Sequence, residues 1–335
     1  MKPVSIIANP ASGKDIRRLV AHGSVFDNQE KVRIVRRLLL GMERTGVEEV
    51  RYMPDAFGIV ERAIDGITTS IKATAYKIYM HNTQEDTVNA ARLAAEAGSA
   101  CTIVLGGDGT CRAACLGSLD VPLLPLSTGT NNVFPQMQEA TVAGLAAGLL
   151  ATERLSPADC CLDEHYLEIF IDGVLQDLAL VDIAVSNGLY VGSRAVWDAD
   201  SISRFFFARC RPQNIGFTSV GGQLATIEPW EGRGLCLHVG KDAACRVTAS
   251  IAPGLVADIG IEKARNMAPG ILFSAGQAPC MLAVDGEREV PVHKGSTAAV
   301  ALSERRIRVV DVPRTMRTAQ QMHLFAKGAK HLDWY

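Results

Sequence analysis

Apolar and polar positions follow two regimes along the 335-residue chain. Up to about residue 150, short solid apolar runs alternate with stretches in which apolar residues recur every three or four positions. Solid runs read as strands buried on both faces, and the wider spacing reads as one-sided helices. The predicted strands are Val4–Ala8, Val47–Met53, Lys77–Met80, Cys101–Leu105 and Leu123–Leu126. The predicted helices are Gln29–Met42, Phe57–Ile67, a segment capped by Asn82-Thr83 that runs through Glu96 to Gly98, Cys111–Leu116 and Thr141–Leu150. Ala90, Ala91, Ala94 and Ala95 give the third of these a small face that can pack close to a sheet. Strand and helix alternating with short connections imply a parallel, doubly wound, Rossmann-like α/β domain.

From about Pro157 the helical spacing stops. Short β-like runs replace it: Leu167–Ile171, Leu178–Val185, Gly234–Val239, Arg246–Ile251, Cys280–Val284, Ala298–Leu302 and Ile307–Val310. Turn signals such as Asp172-Gly173, Gly221-Gly222 and Asp285-Gly286 separate them, which predicts an antiparallel all-β domain. Pro313 breaks the pattern, and Met316–Ala326 reads as a helix. The expected organisation is an α/β domain over 1–155, a β domain over 156–313 and a tail over 314–335.

Composition narrows the class. With 48% hydrophobic and 21% charged residues the chain is globular rather than disordered. A net charge of −2 lacks the basic footprint of a nucleic-acid binder. No apolar run reaches the roughly 18–20 residues of a membrane span, and Met1-Lys2-Pro3 leads straight into a strand, leaving no room for a signal peptide. The nine cysteines include no Cys-x-x-Cys pair and are expected to be reduced, mostly buried thiols of a cytoplasmic protein. None of the seven histidines has metal-ligand spacing. The three tryptophans read as packing residues, although Trp197, in the polar run Arg194 to Asp200, can line a cleft.

The chemistry concentrates where strands end. Cys101–Leu105 breaks into Gly106-Gly107-Asp108-Gly109-Thr110 before a helix. That is how α/β proteins bring backbone N–H groups up to phosphate. Val4–Ala8 runs into Asn9-Pro10-Ala11-Ser12-Gly13-Lys14, and Leu123–Leu126 into Ser127-Thr128-Gly129-Thr130-Asn131-Asn132. In a parallel sheet these three loops share the carboxyl edge, where such sheets bind ligands. Gly107, Gly109 and Thr110 are best placed to donate amides, with Ser12, Gly13 and Thr128-Gly129-Thr130 as partners. Asp108 can accept a proton from a hydroxyl or hold Mg²⁺; the bland alternative is a β-turn with a solvated carboxylate. Lys14 is a phosphate contact or a surface lysine, without the spacing of a Walker A loop. Asn131 and Asn132 hydrogen-bond a ligand or only shape their turn.

These motifs resemble those of the NAD kinase, diacylglycerol kinase and sphingosine kinase superfamily. Its members carry an Asn-Pro-x-Ser-Gly turn, a Gly-Gly-Asp-Gly-Thr loop and a Thr-Gly-Thr/Asn-type loop, here at 9–13, 106–110 and 128–132. Asp285-Gly286-Glu287 resembles the Asp-Gly-Glu triplet of the lipid-kinase branch; by itself it is a hairpin signal. In length and general look the chain resembles the ATP-NAD kinase-like proteins encoded with acetoin-catabolism genes, the acetoin catabolism protein X group. The resemblance implies a β-sandwich second domain and a chain end that returns to the first domain. It implies an ATP- and Mg²⁺-dependent kinase acting on a hydroxyl of NAD, a related nucleotide or a lipid, with a nucleotide-sensing regulator as the non-catalytic alternative. Asp108 becomes the base or hydroxyl orienter. Asn9, Ser12, Gly13, Thr83, Gly106, Gly107, Gly109, Thr110, Thr128, Gly129, Thr130 and Asn131 become nucleotide-site residues, and Asp285 and Glu287 reach nucleotide and metal. For Thr83 an ordinary helix N-cap explains the residue equally well. NAD kinases grip the nicotinamide riboside with an Asn-Glu or Asn-Asp pair; Asp182 keeps the carboxylate, but Val181 stands where the asparagine would be. The third loop is nearer the lipid-kinase form, yet no basic amphipathic segment is present for membrane docking. Ser186 to Arg194 can supply substrate contacts. The superfamily also implies a homo-oligomer.

Overall fold

A computed structural model describes residues 1–12, 27–187, 201–286 and 288–326. In the first half these residues form β1 (Val4–Ala8), α1 (Asn28–Thr45), β2 (Glu49–Tyr52), α2 (Ile59–Asp65), β3 (Lys72–Ala75), α3 (Gln84–Glu96), β4 (Thr102–Gly106), α4 (Asp108–Gly117), β5 (Leu123–Ser127), α5 (Ala140–Ala151), α6 (Pro157–Cys160) and β6 (Cys161–Glu164). The second half adds β7 (Leu167–Ile171), β8 (Val174–Ala179), β9 (Asp182–Asn187), β10 (Ile202–Phe207), α7 (Thr218–Leu224), β11 (Gly234–Val239), β12 (Cys245–Ala252), β13 (Leu255–Met267), β14 (Phe273–Ser274), β15 (Cys280–Val284), β16 (Arg288–Val292), β17 (Ala298–Leu302), β18 (Ile307–Val310) and α8 (Val312–Gln321).

The first sheet has the order β3-β2-β1-β4-β5-β18-β6, parallel from β3 through β18. Its central strands are covered on both faces, as solid apolar runs require. In β1, Val4, Ile6 and Ala8 join the core under α1 and α5, while Ile7 turns to the opposite core with Val104, Ala90 and Ala94. The small face of α3 lets it close on α4: a Cβ on Gly117 would strike the Val88 carbonyl.

Among the described residues the ladders between the named strands of the β region are antiparallel. A seven-stranded sheet, β12-β13-β11-β10-β9-β15-β16, faces a four-stranded one, β14-β17-β7-β8. Ile183, Val185, Phe206, Leu282 and Val284 from the first pack against Leu167, Ile169, Val300 and Leu302 from the second, so the fold is α/β plus a β-sandwich. The outer face of the larger sheet, with Phe205, Phe207 and Val247, is closed by Val220 of α7.

Four local expectations are corrected. The strand expected at Lys77–Met80 is Lys72–Ala75, an edge strand with one partner and an exposed surface, which needs little apolar patterning. The run Leu178–Val185 breaks at Leu180-Val181, whose N–H groups go to a side chain instead of a ladder. Ile307–Val310 joins the first sheet, pairing with β5 at one residue and with β6 along its length. The helix expected over Met316–Ala326 is α8, Val312–Gln321, which takes Pro313 into its first turn, where an N–H has no intrahelical use. Described tail residues Met316, Ala319 and Leu324 pack into the core under α1 and α5. Of the cysteines, eight are buried free thiols and Cys245 is exposed.

Candidate active site

Three loops meet at the carboxyl edge of the first sheet. β1, β4 and β5 pair in register, so their ends lie side by side. Asn9 Nδ2 donates to Thr110 Oγ1 at 3.0 Å, linking the first loop to the second. Ser12 Oγ lies 3.1 Å from Thr128 Oγ1, linking the first to the third. Ser127 and Asn132 shape the third loop: Asn132 Nδ2 donates to Ser127 Oγ at 2.7 Å, and Ser127 Oγ donates to the Gly129 carbonyl. A Cβ on Gly107 would sit 2.9 Å from Asn132 Oδ1, so a side chain there would displace the Asn132 amide. Thr130 Oγ1 donates to Asn131 Oδ1, which places both residues in the turn's own bonding.

Asp108 occupies the first position of α4, with Gly107 as N-cap. The helix begins three residues earlier than its apolar spacing suggests, which brings the carboxylate to its positive end. Asp108 Oδ1 accepts the Phe134 N–H at 2.7 Å, and both oxygens lie 3.2 Å from the Val133 nitrogen. The third loop thereby holds the carboxylate. The second domain holds the loop in turn: the Arg209 guanidinium sits 4.6 Å above the Phe134 ring, donates from Nε to the Leu180 carbonyl and pairs with Glu164.

Two more carboxylates stand close by. Asp285 accepts from the N–H groups of Leu180, Val181 and Asp182 at 3.0, 2.9 and 3.2 Å. Burial nevertheless pushes its acid up to about 6, against those three bonds and the pull of Arg112. Burial first, then the Asp285 and Asp108 carboxylates, push Asp182 well above the ordinary carboxylate range. Among the described residues no group of three or more His, Cys, Asp or Glu is arranged to hold a metal ion.

Two cavities lie near the Asp108 loop, one lined by Gly109 and Thr110 and the other by Val133 and Phe134. One, of about 410 Å³, is lined by Asn9, Ala11, Thr83, Gly109, Thr110 and Arg112, with Arg288 and Glu289 from the second domain. The other, of about 260 Å³, is lined by Phe134, Gln136, Arg209, Arg211 and Trp230. It opens where the β5–β18 ladder is reduced to Leu123–Val309 and Pro125 has no N–H to extend it. Thr83 is an exposed N-cap in a capping box with Asp86, and it also faces the larger cavity. Gly13, Lys14, Glu287, the run from Gly188 through Arg194, Trp197 and Trp334 lie outside the described residues.

Four site residues are absent from the sequence reading. Lys31 is fully buried, and its Nζ donates to the carbonyls of Asn9 and Ser12 at 2.8 and 2.7 Å and to Asn28 Oδ1, gripping both ends of the first loop. Its signal was a lysine on the apolar stripe 31-35-38-42 of α1. Arg112 lies one turn beyond Asp108 on the same helix face. It is buried and donates to Asp177 at 2.6 Å and to Gln84 at 3.0 Å. Asp177 and Arg288, paired at 3.1 Å, had no local signal.

An ATP-NAD kinase N-terminal domain model matches residues 4–154, and an acetoin catabolism protein X C-terminal domain model matches residues 165–305. Acetoin catabolism protein X of Cupriavidus necator is 36% identical over 334 residues, covering 96% of this chain and 93% of that protein. The chain belongs to the acetoin catabolism protein X family. Among solved structures similar to this family member, yeast NADH kinase complexed with NADH has a TM-score of 0.48 at 12% identity, covering 99% of this chain and 90% of that one. A diacylglycerol kinase from Bacillus anthracis str. Sterne has a TM-score of 0.45 at 11% identity, covering 92% and 96%.

Proposed function

We propose that this protein is an ATP-dependent kinase that phosphorylates a hydroxyl acceptor, with NAD or a related nucleotide ranked first. The observation that carries the reading is Asp108, held at the start of α4 by the Val133 and Phe134 amides, next to Gly109 and Thr110 of the larger cavity. Phosphoryl transfer is mostly positioning and charge stabilisation. The loop amides and the α4 N-terminus suit the phosphates of ATP in the larger cavity, beside Asn9, Thr83, Gly109 and Thr110. Gly106, Ser12, Thr128, Gly129, Thr130 and Asn131 shape that edge. Asp108 then orients the acceptor hydroxyl and takes its proton. Asp182 lies toward the acceptor. The described carboxylates do not fit a metal cage, since Asp285 directs its oxygens at backbone N–H groups. Mg²⁺ is therefore expected to enter as the nucleotide's own counter-ion.

The test is ATP-dependent formation of NADP from NAD with Mg²⁺. Asp108→Asn keeps an acceptor for the Val133 and Phe134 amides, so it is expected to fold and to lose at least about 100-fold in turnover. Undiminished turnover in this variant would sink the assignment of Asp108. ATP consumption only with another alcohol, such as diacylglycerol or a sphingoid base, would replace NAD as acceptor.

A further inference from the structure

The β15–β16 hairpin does more than close an edge of the sandwich. Its turn places Asp285 and Gly286 at positive φ, and Asp285 is fastened by its side chain to residues 180–182 and by its own N–H to the Asp182 carbonyl. Arg288, the first residue of β16, is thereby set at the rim of the 410 Å³ cavity. Its Nε donates to Asp177 Oδ2, while the other Asp177 oxygen receives Arg112. One buried carboxylate thus aligns two cations from different domains. Arg112 is 2% exposed and committed to Asp177 and Gln84; Arg288 is 52% exposed.

The acidic groups on the same wall do not cancel it. Asp86 directs its carboxylate at the N–H groups of His81 and Thr83. Glu289 follows Arg288 along a strand, where successive side chains leave on opposite faces. Among the described lining residues, Arg288 is the exposed cation. A guanidinium already held in place loses little freedom on pairing with a phosphate, and its fork geometry suits phosphate oxygens.

We propose that Arg288 is the cation with which the second domain grips the polyphosphate of the nucleotide bound beside Asn9 and Thr110. This rests on the nucleotide reading above and adds a named contact to it. Calorimetric titration of the full chain with ATP and with adenosine tests both. In the unmutated protein ATP is expected to bind more tightly than adenosine. Arg288→Ala, an exposed substitution compatible with folding, is expected to weaken ATP by about tenfold and leave adenosine unchanged. Arg288→Lys recovers part of the loss. An unchanged ATP-to-adenosine ratio in Arg288→Ala, with only a lowered melting temperature, would make Arg288 a mere partner of Asp177 and overturn the proposal. No ATP binding by the unmutated protein would instead overturn the nucleotide reading, and this proposal with it.

Discussion

At the residue scale, the site is a set of carboxylates crowded together and kept from water. Asp182 and Asp285 hold protons in the folded protein at pH values where the unfolded chain, with carboxyl pKa near 3.9, has released them. A folded-state pKa above the unfolded one stabilises at low pH. That contribution is lost as pH rises from about 4 through about 6 for Asp285, and over a wider span for Asp182. Asp182→Asn removes one titrating group while keeping an acceptor for the Thr218 N–H. Its melting temperature is expected to exceed that of the unmutated protein at pH 8, with the difference vanishing at pH 4. An equal difference at both pH values would mean that Asp182 titrates normally.

At the element scale, loops are positioned by buried side chains from elsewhere in the chain. Lys31 in α1 organises the Asn9–Ser12 turn, and Asp285 organises the chain between β8 and β9. Asp285 explains why one apolar run becomes two strands: three consecutive N–H groups are diverted to a carboxylate. Asp285→Ala would leave those donors buried and unmet, a loss of about 3 kcal/mol, offset in part by removing a poorly solvated acid. Asp285→Asn keeps one acceptor and is expected to fall between. Chemical denaturation of the three proteins checks the order, and a variant as stable as its parent would show that water satisfies the donors.

At the scale of the whole molecule, the two domains are joined by an apolar seam that includes a buried ion pair, Arg112–Asp177. Leu178, Leu180 and Val181 pack with Val104, Cys111 and Phe134, and Arg112 reaches Asp177 beside them. Breaking a buried pair leaves an uncompensated charge and costs about 3–5 kcal/mol. Arg112→Met is expected near the lower end, because Arg288 still faces Asp177. Calorimetry should show the domains melting less cooperatively in this variant than in its parent; an unaltered single transition would deny the pair a role in coupling them.

Local patterning sufficed for what depends on neighbours along the chain. The solid runs of β1, β4 and β5, the Thr83 cap and the glycine-rich strand ends were legible because period, capping and turn chemistry act over a few residues. They also implied the two fold classes and the convergence of three loops. Tertiary structure decided the rest. Ile307–Val310 looks like any other strand until β5 and β6 pair with its two edges, and Lys72–Ala75 looks like a loop until Glu49–Tyr52 pairs with it. Arg112, Asp177 and Arg288 are far apart in sequence and matter only together. A buried charge is tolerated where partners from distant segments satisfy it, and that condition exists only in the folded chain.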